Sequence, residues 1–194
     1  LRLADEGWAL AKLARKLSME KQARLNKFSV AVDDKGTTRV AVEQGSGVKV
    51  VAGDKSTVVS SGQAVVVGPG AGEMKPRHTI PPPTLILPNP RSVLLTRTVY
   101  FRWNRVEGAA KYVLTICSDA RCRKPLWQIT TSSTSYLYSE RDDKPGLRWW
   151  LVRSVDSQGI VGPPSTPRAY RLAPKGSPSS VVEREKRKDR EDSE

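Results

Sequence analysis

The chain runs to 194 residues, with 33 Lys and Arg against 20 Asp and Glu and a formal net charge of +13; its sequence pI is near 10.0. At 38% hydrophobic and 27% charged residues it can fold around a lean core, and the length suits one domain or two small ones. One His and two Cys exclude a zinc framework built on four Cys and His ligands, and no run of about 18 apolar residues offers a membrane-spanning helix.

Leu1 opens the chain with no signal peptide in view, as in a mature or trimmed form. Residues 3–25 place Leu3, Leu10, Leu13, Leu17 and Leu25 at roughly helical spacing, with Trp8 and Ala14 nearby. Asp5 stands where a helix cap is expected and Asn26 where a helix would stop. The N-terminal segment 1–27 is therefore expected to carry a helix, with strands as the alternative. From Phe28 the texture changes. The runs FSVAVDD, KGTTRVAVEQ, GVKVVAG, STVVSS and QAVVVGPG are short and rich in Val and Thr, and Gly, Asp, Lys and Ser close them. That is a train of β-strands with tight turns over residues 28–68.

Residues 69–83 are rich in Pro and Gly, and Pro81, Pro82 and Pro83 cannot join a central strand. This stretch is expected to be an extended linker, with His78 in it solvated. Residues 84–172 hold seven further runs: TLILPNP, TVYFRWNRV, KYVLTICSD, LWQITTS, SYLYS, LRWWLVRSVD and PRAYRL. Seven short strands with a turn signal about every ten residues make the pattern of a β-sandwich. Residues 173–194 end in alternating charge blocks without an aromatic, and a disordered charged tail is expected. The fold class is all-β, a small Val-rich module followed by a seven-stranded sandwich.

Two resemblances add to this. FRWNRVEGAAKYVLTI, with Trp103 leading through Gly108 and Ala109 to Tyr112, and GLRWWLVRSVDSQGIVGPPSTPRAYRL resemble a fibronectin type III-like domain. In the second stretch the resemblance puts Trp150, Val152 and Ser154 inward, a turn at Asp156 and Gly159, and Pro163 and Ser165 before the last strand. It departs at Arg148, where the family often has an aromatic. The stretch TTRVAVEQGSGVKVVAGDKSTVVSSGQAVVV, with Glu43 and Gly45 in one turn and Gly62 and Gln63 before the last strand, resembles the C-terminal half of the FecR-like domain family. That resemblance implies a bacterial envelope protein that binds or senses. Since the family's N-terminal half should supply more strands, this module could complete its sheet by strand addition from another chain.

No Gly-x-Ser-x-Gly, P-loop, His-Glu-x-x-His or dinucleotide fingerprint occurs. Asp142 and Asp143 are adjacent, so on an extended chain their side chains diverge, and they read as a turn before Lys144. The chain is expected to be non-enzymatic, with no cofactor and no metal ligand. Cys117 and Cys122 flank four residues, which suits a disulfide-closed loop and an exported chain.

Alternation then selects a candidate surface. With Trp150, Val152 and Ser154 inward, Trp149, Leu151 and Arg153 point outward; with Tyr112, Leu114 and Ile116 inward, Lys111, Val113 and Cys117 do. In the family's sheet these strands are neighbours, so Trp149, Leu151 and Val113 would share an apolar stripe beside Arg153 and Lys111. Exposed apolar patches rimmed by charge mark interaction surfaces, although another part of the chain could equally cover this one. Most of the positive charge falls in residues 91–171, with fourteen basic and six acidic side chains. An acidic protein partner or an anionic envelope polymer such as peptidoglycan fits that charge. Nucleic acid has charge alone in its favour, since no recognition helix, zinc finger or RNA-binding strand motif occurs. The expected function is periplasmic or cell-envelope interaction and scaffolding. The alternatives are the sensor part of a FecR-like signalling system, or a glycan- or nucleic-acid-binding module.

Overall fold

A computed structural model describes residues 26–69, 73–140 and 144–177, and the expected N-terminal helix, the Asp142–Asp143 turn and the charged end of the tail lie outside them. The described residues are all strand, turn and loop. They fall into two compact units, one of Leu1–Pro81 with Val155–Pro163 and one of Pro82–Ser154 with Pro164–Glu194.

The first unit contains β1 (Lys27–Val32), β2 (Thr38–Gln44), β3 (Val48–Ala52), β4 (Lys55–Val59), β5 (Gln63–Val67) and β6 (Arg77–His78). Strands β1, β2, β5 and β6 form one sheet in the order β1-β2-β5-β6, and β3 and β4 form a separate hairpin. Val40, Val42, Val48, Val50, Val59, Val65 and Val67 make one buried cluster. Branching at Cβ suits these valines to a pleated, half-buried surface. On the other face of the sheet, Ala41, Ala64 and Ile160 form a smaller cluster. Ile160 comes from the segment 155–163, whose turn is tied by Asp156 Oδ1, which accepts from the Gln158 and Ile160 N–H groups. Arg77 pairs with Asp156 at 2.6 Å, and Arg39 donates to the Gln158 carbonyl at 2.6 Å while pairing with Asp33 at 3.0 Å.

Asn26 locks the β2–β3 turn. Its Nδ2 donates to the Gly47 carbonyl and its Oδ1 accepts from Ser46 N–H. Gly45 has φ +118°, and a Cβ there would sit 2.8 Å from the Asn26 Cα. Only glycine fits that combination of backbone angle and close approach.

The expected linker, residues 69–83, needs a correction. Gln63 pairs with His78 and Ala64 with Arg77, so part of this stretch is a strand of the first sheet, and Met74 packs on the valine cluster. Pro81–Pro83 lack N–H donors, but Arg77 and His78 lie upstream of them and keep theirs. His78 itself is exposed, as expected.

The second unit contains β7 (Leu85–Leu87), β8 (Ser92–Leu94), β9 (Thr98–Trp103), β10 (Ala109–Cys117), β11 (Pro125–Thr131), β12 (Ser135–Ser139), β13 (Gly146–Asp156), β14 (Val161–Pro164) and β15 (Arg168–Leu172). Residues 155 and 156 of β13 and most of β14 are counted with the first unit. One sheet runs β12-β9-β7 and the other β11-β10-β13-β15-β8, with β14 paired to β13. Strands β7, β9 and β12 in one sheet and β10, β11, β13 and β15 in the other make a seven-stranded fibronectin type III-like sandwich, to which β8 and β14 are added. Period-two alternation is clean in β9, where Val99, Phe101 and Trp103 are buried and Thr98, Tyr100 and Arg102 are exposed. The core joins Phe101, Trp103, Tyr112, Leu114, Ile116, Trp150, Val152, Tyr170 and Leu172. Arg168 pins β7 by donating to the Leu85, Ile86 and Pro88 carbonyls.

Candidate functional site

Strands β10 and β13 are neighbours, and Trp150, Val152 and Ser154 are fully buried. The stripe expected on the opposite side is not open surface. Lys111 is exposed, but Val113, Trp149 and Arg153 are half-buried, and Leu151 is only 6% exposed. Alternation fixes the side to which a residue points, not what covers that side, and β13 is a central strand between β10 and β15. Cys117, expected outward, is fully buried. The β10–β11 register shifts between Ile116 and Cys117, which breaks the alternation at that residue.

That shift opens a cation-bearing loop. Cys117 and Cys122 form the expected disulfide, with Cα atoms 5.1 Å apart. Inside the loop Asp119 Oδ1 accepts from Arg121 N–H and Oδ2 from Lys124 N–H, at 3.0 and 2.8 Å. Ser118 N–H reaches the Lys124 carbonyl, and Cys122 N–H the Asp119 carbonyl. Partial desolvation pushes the Asp119 pKa up, but its backbone donors and the nearby Arg123 outweigh this and hold it below the ordinary aspartate value. The loop's one carboxylate is thus turned onto its own backbone, while Arg121, Arg123 and Lys124 are exposed. Leu126, just beyond, is exposed as well.

A second exposed group lies on the outer face of the β12-β9-β7 sheet. Leu137 stands directly opposite Tyr100, and Ser135 opposite Arg102; Leu87 also pairs with Arg102. Leu137 is 63% and Tyr100 46% exposed. Tyr and Arg are preferred anchors at interfaces. The sequence reading missed this group although its signal is plain. With Val99, Phe101 and Trp103 inward, Tyr100 and Arg102 must point out, and the β12 sequence SYLYS puts Leu137 between two inward tyrosines. Trp127 closes this edge of the sandwich against Tyr136 and Tyr138, with ring centroids 5.3 and 4.6 Å away.

Arg148, at the position where the family often has an aromatic, joins a buried polar group. Tyr170 donates to Glu140 at 2.8 Å, and Arg148 Nε lies 3.9 Å from the same carboxylate oxygen. Burial, then the Glu140 charge and the hydrogen bond to it, push the Tyr170 phenol far above its ordinary range. Among the described residues no group of three or more His, Cys, Asp or Glu side chains could hold a metal ion. None of the helix length or apolarity needed to cross a membrane is found in a helix of these residues.

No protein-family model matches the chain, and no curated protein matches it. Among solved structures it is similar to an Fn3-like protein from Clostridium thermocellum, at 16% identity over 50% of this chain and 98% of that one, with a TM-score of 0.36. CopC from Methylosinus trichosporium OB3b is 13% identical over 50% of this chain and 98% of its own, with a TM-score of 0.33. The extracellular domain of a one component system from B. thetaiotaomicron is 9% identical over 77% of this chain and 31% of its own, with a TM-score of 0.30.

Proposed function

We propose that this chain is a non-enzymatic interaction and scaffolding module of the bacterial cell envelope, working in the periplasm or at the envelope, that docks an acidic protein partner. The observation that carries the reading is the β10–β11 loop, pinned by the Cys117–Cys122 disulfide, in which Asp119 binds its own backbone, while Arg121 inside the closed ring and Arg123 and Lys124 just after it face solvent. Cations on a fixed backbone steer an acidic surface during encounter. Tyr100 and Leu137, with Arg102 beside them, supply apolar contact once a partner is seated. Lys111 and Arg153 add to the positive field, while Trp149, Leu151 and Val113 act in packing. The disulfide suits an oxidising compartment, and the resemblance of residues 28–68 to the FecR-like family supports the envelope assignment.

The test is photocrosslinking in intact cells from position 123 and, separately, from position 137, followed by kinetics with the purified partner. Reversing charge at Arg121, Arg123 and Lys124 together should slow association about tenfold or more at low ionic strength and much less at high salt. Tyr100→Ala should speed dissociation about tenfold. Crosslinks confined to peptidoglycan glycan strands, or an association rate indifferent to the charge reversal, would overturn the reading.

A further inference from the structure

Among the described residues strand β1 is an edge of its sheet, and its one charged side chain, Lys27 at its start, is paired with Glu43 of β2. Phe28–Val32 reads Phe-Ser-Val-Ala-Val, with neither proline nor charge. Phe28, Val30 and Val32 lie opposite Val42, Val40 and Thr38 of β2 and so share their face. That face is the buried one, since Val40 and Val42 are in the valine core and Phe28 packs on it. Yet Val30 and Val32 remain 46% and 38% exposed. Among the described residues the apolar layer continues onto β1 and stops there, partly exposed.

The backbone shows what can continue it. Asp33 N–H bonds the Thr37 carbonyl. In an antiparallel ladder the bonding direction alternates along a strand. Asp33, Ala31 and Ser29 therefore turn their backbone groups toward β2, and those of Phe28, Val30 and Val32 point away from it. Two copies of β1 laid antiparallel about a two-fold axis at Val30 bring Val30 opposite Val30 and Phe28 opposite Val32. All the outward N–H and C=O groups of these three residues then pair, in a closed isologous interface. The same register sets Lys27 of each copy opposite Asp33 of the other; each is already paired in its own chain, with Glu43 and with Arg39, so no like charges meet at the ends.

We propose that the first unit binds a second copy of this chain through β1, in this register, joining the two sheets and their valine layers into one. The partner is this chain itself because the register is complementary to itself in hydrogen bonding and apolar pattern and brings no like charges face to face. The proposal stands apart from the docking of an acidic partner, which uses the second unit.

The test uses the full chain. Sedimentation velocity should show a dimer at micromolar concentration. Val30→Pro removes an N–H that faces away from β2, so the ladder to β2 survives, and the dimer dissociation constant should rise at least about tenfold with an unchanged circular dichroism spectrum. Val30→Lys is the second variant, kept in case proline disturbs the strand, and should act in the same direction. Under oxidation Val30→Cys should give a crosslinked dimer, because Cα atoms of a directly hydrogen-bonded pair lie about 5.5 Å apart, within disulfide reach. Ser29→Cys, whose counterpart is Ala31, should crosslink far less. A chain that stays monomeric at about 100 μM would overturn the proposal, as would a dimer indifferent to both Val30 variants or one that crosslinks equally from Ser29→Cys.

Discussion

The two units bury a layer between short strands with different side chains, and the difference decides where each is sensitive. The first relies on seven valines. The second packs Phe101 against Trp150 and Tyr170 at 4.8 and 5.8 Å, and Trp103 against Tyr112 at 5.7 Å. Valine brings no polar atom, so its core asks nothing of the backbone and has no titrating group. Tyrosine buries more area, but its hydroxyl needs a partner. Tyr112 accepts from Val106 N–H at 2.9 Å, and Tyr170 donates to Glu140. The aromatic core is therefore wired into polar groups and should respond to alkali, whereas the valine core should not.

The largest expected effect is on the aromatic side. Trp150→Ala should cost about 3–5 kcal/mol in denaturant unfolding, with amide protection lost in β9, β10 and β15. Val42→Ala should cost about 2 kcal/mol, from two lost methyl groups and the space they leave. Equal losses at the two sites would remove the distinction drawn between the cores. Replacing Cys117 and Cys122 together by serine should cost about 2 kcal/mol, the entropy of a small closed loop. It should also slow association with the acidic partner by freeing the cation-bearing loop; stopped-flow measurements on the double variant check this.

The pH predictions sharpen the contrast. The folded state holds the Tyr170 proton well above the pH at which an unfolded tyrosine loses it. The contribution is thus complete below about pH 10 and declines above it, at about 1.4 kcal/mol per pH unit. Tyr170→Phe should flatten that decline in urea titrations run between pH 9 and 11. The smallest effect is in acid. The Asp33 pKa is held below 3.8, first by the Thr37 N–H and also by Arg39 and Lys35, against an opposing desolvation. Its support is present above that value and lost as pH falls through the folded pKa. Asp33→Asn should therefore make unfolding below pH 4 less steep, and a melting series between pH 2 and 5 would show it.

Much of the fold was legible because alternation and turn chemistry are local. Val99, Phe101 and Trp103 announce β9, and the Cys117–Cys122 spacing announces the closed loop. The candidate surface was less legible. Period-two reasoning turns Trp149 and Leu151 away from Trp150 and Val152, yet exposure depends on what packs over that side. Tyr100 and Leu137 were readable by the same rule, but their pairing across β9 and β12 needs the register. The short β6 was hidden behind a proline run that governs only its own residues.

By itself the sequence determined the elements: strands where β-branched and aromatic residues alternate, turns where Gly, Asp and Pro break them, and a positive middle section. These follow from backbone sterics and side-chain period, which act within a few residues. Only the tertiary structure decided that residues 155–163 belong to the first unit with Ile160 in its core, that Leu151 is covered, and that Val30 and Val32 of β1 stay partly exposed. Those outcomes depend on which distant strands become neighbours, and a linear pattern carries no record of distance in space.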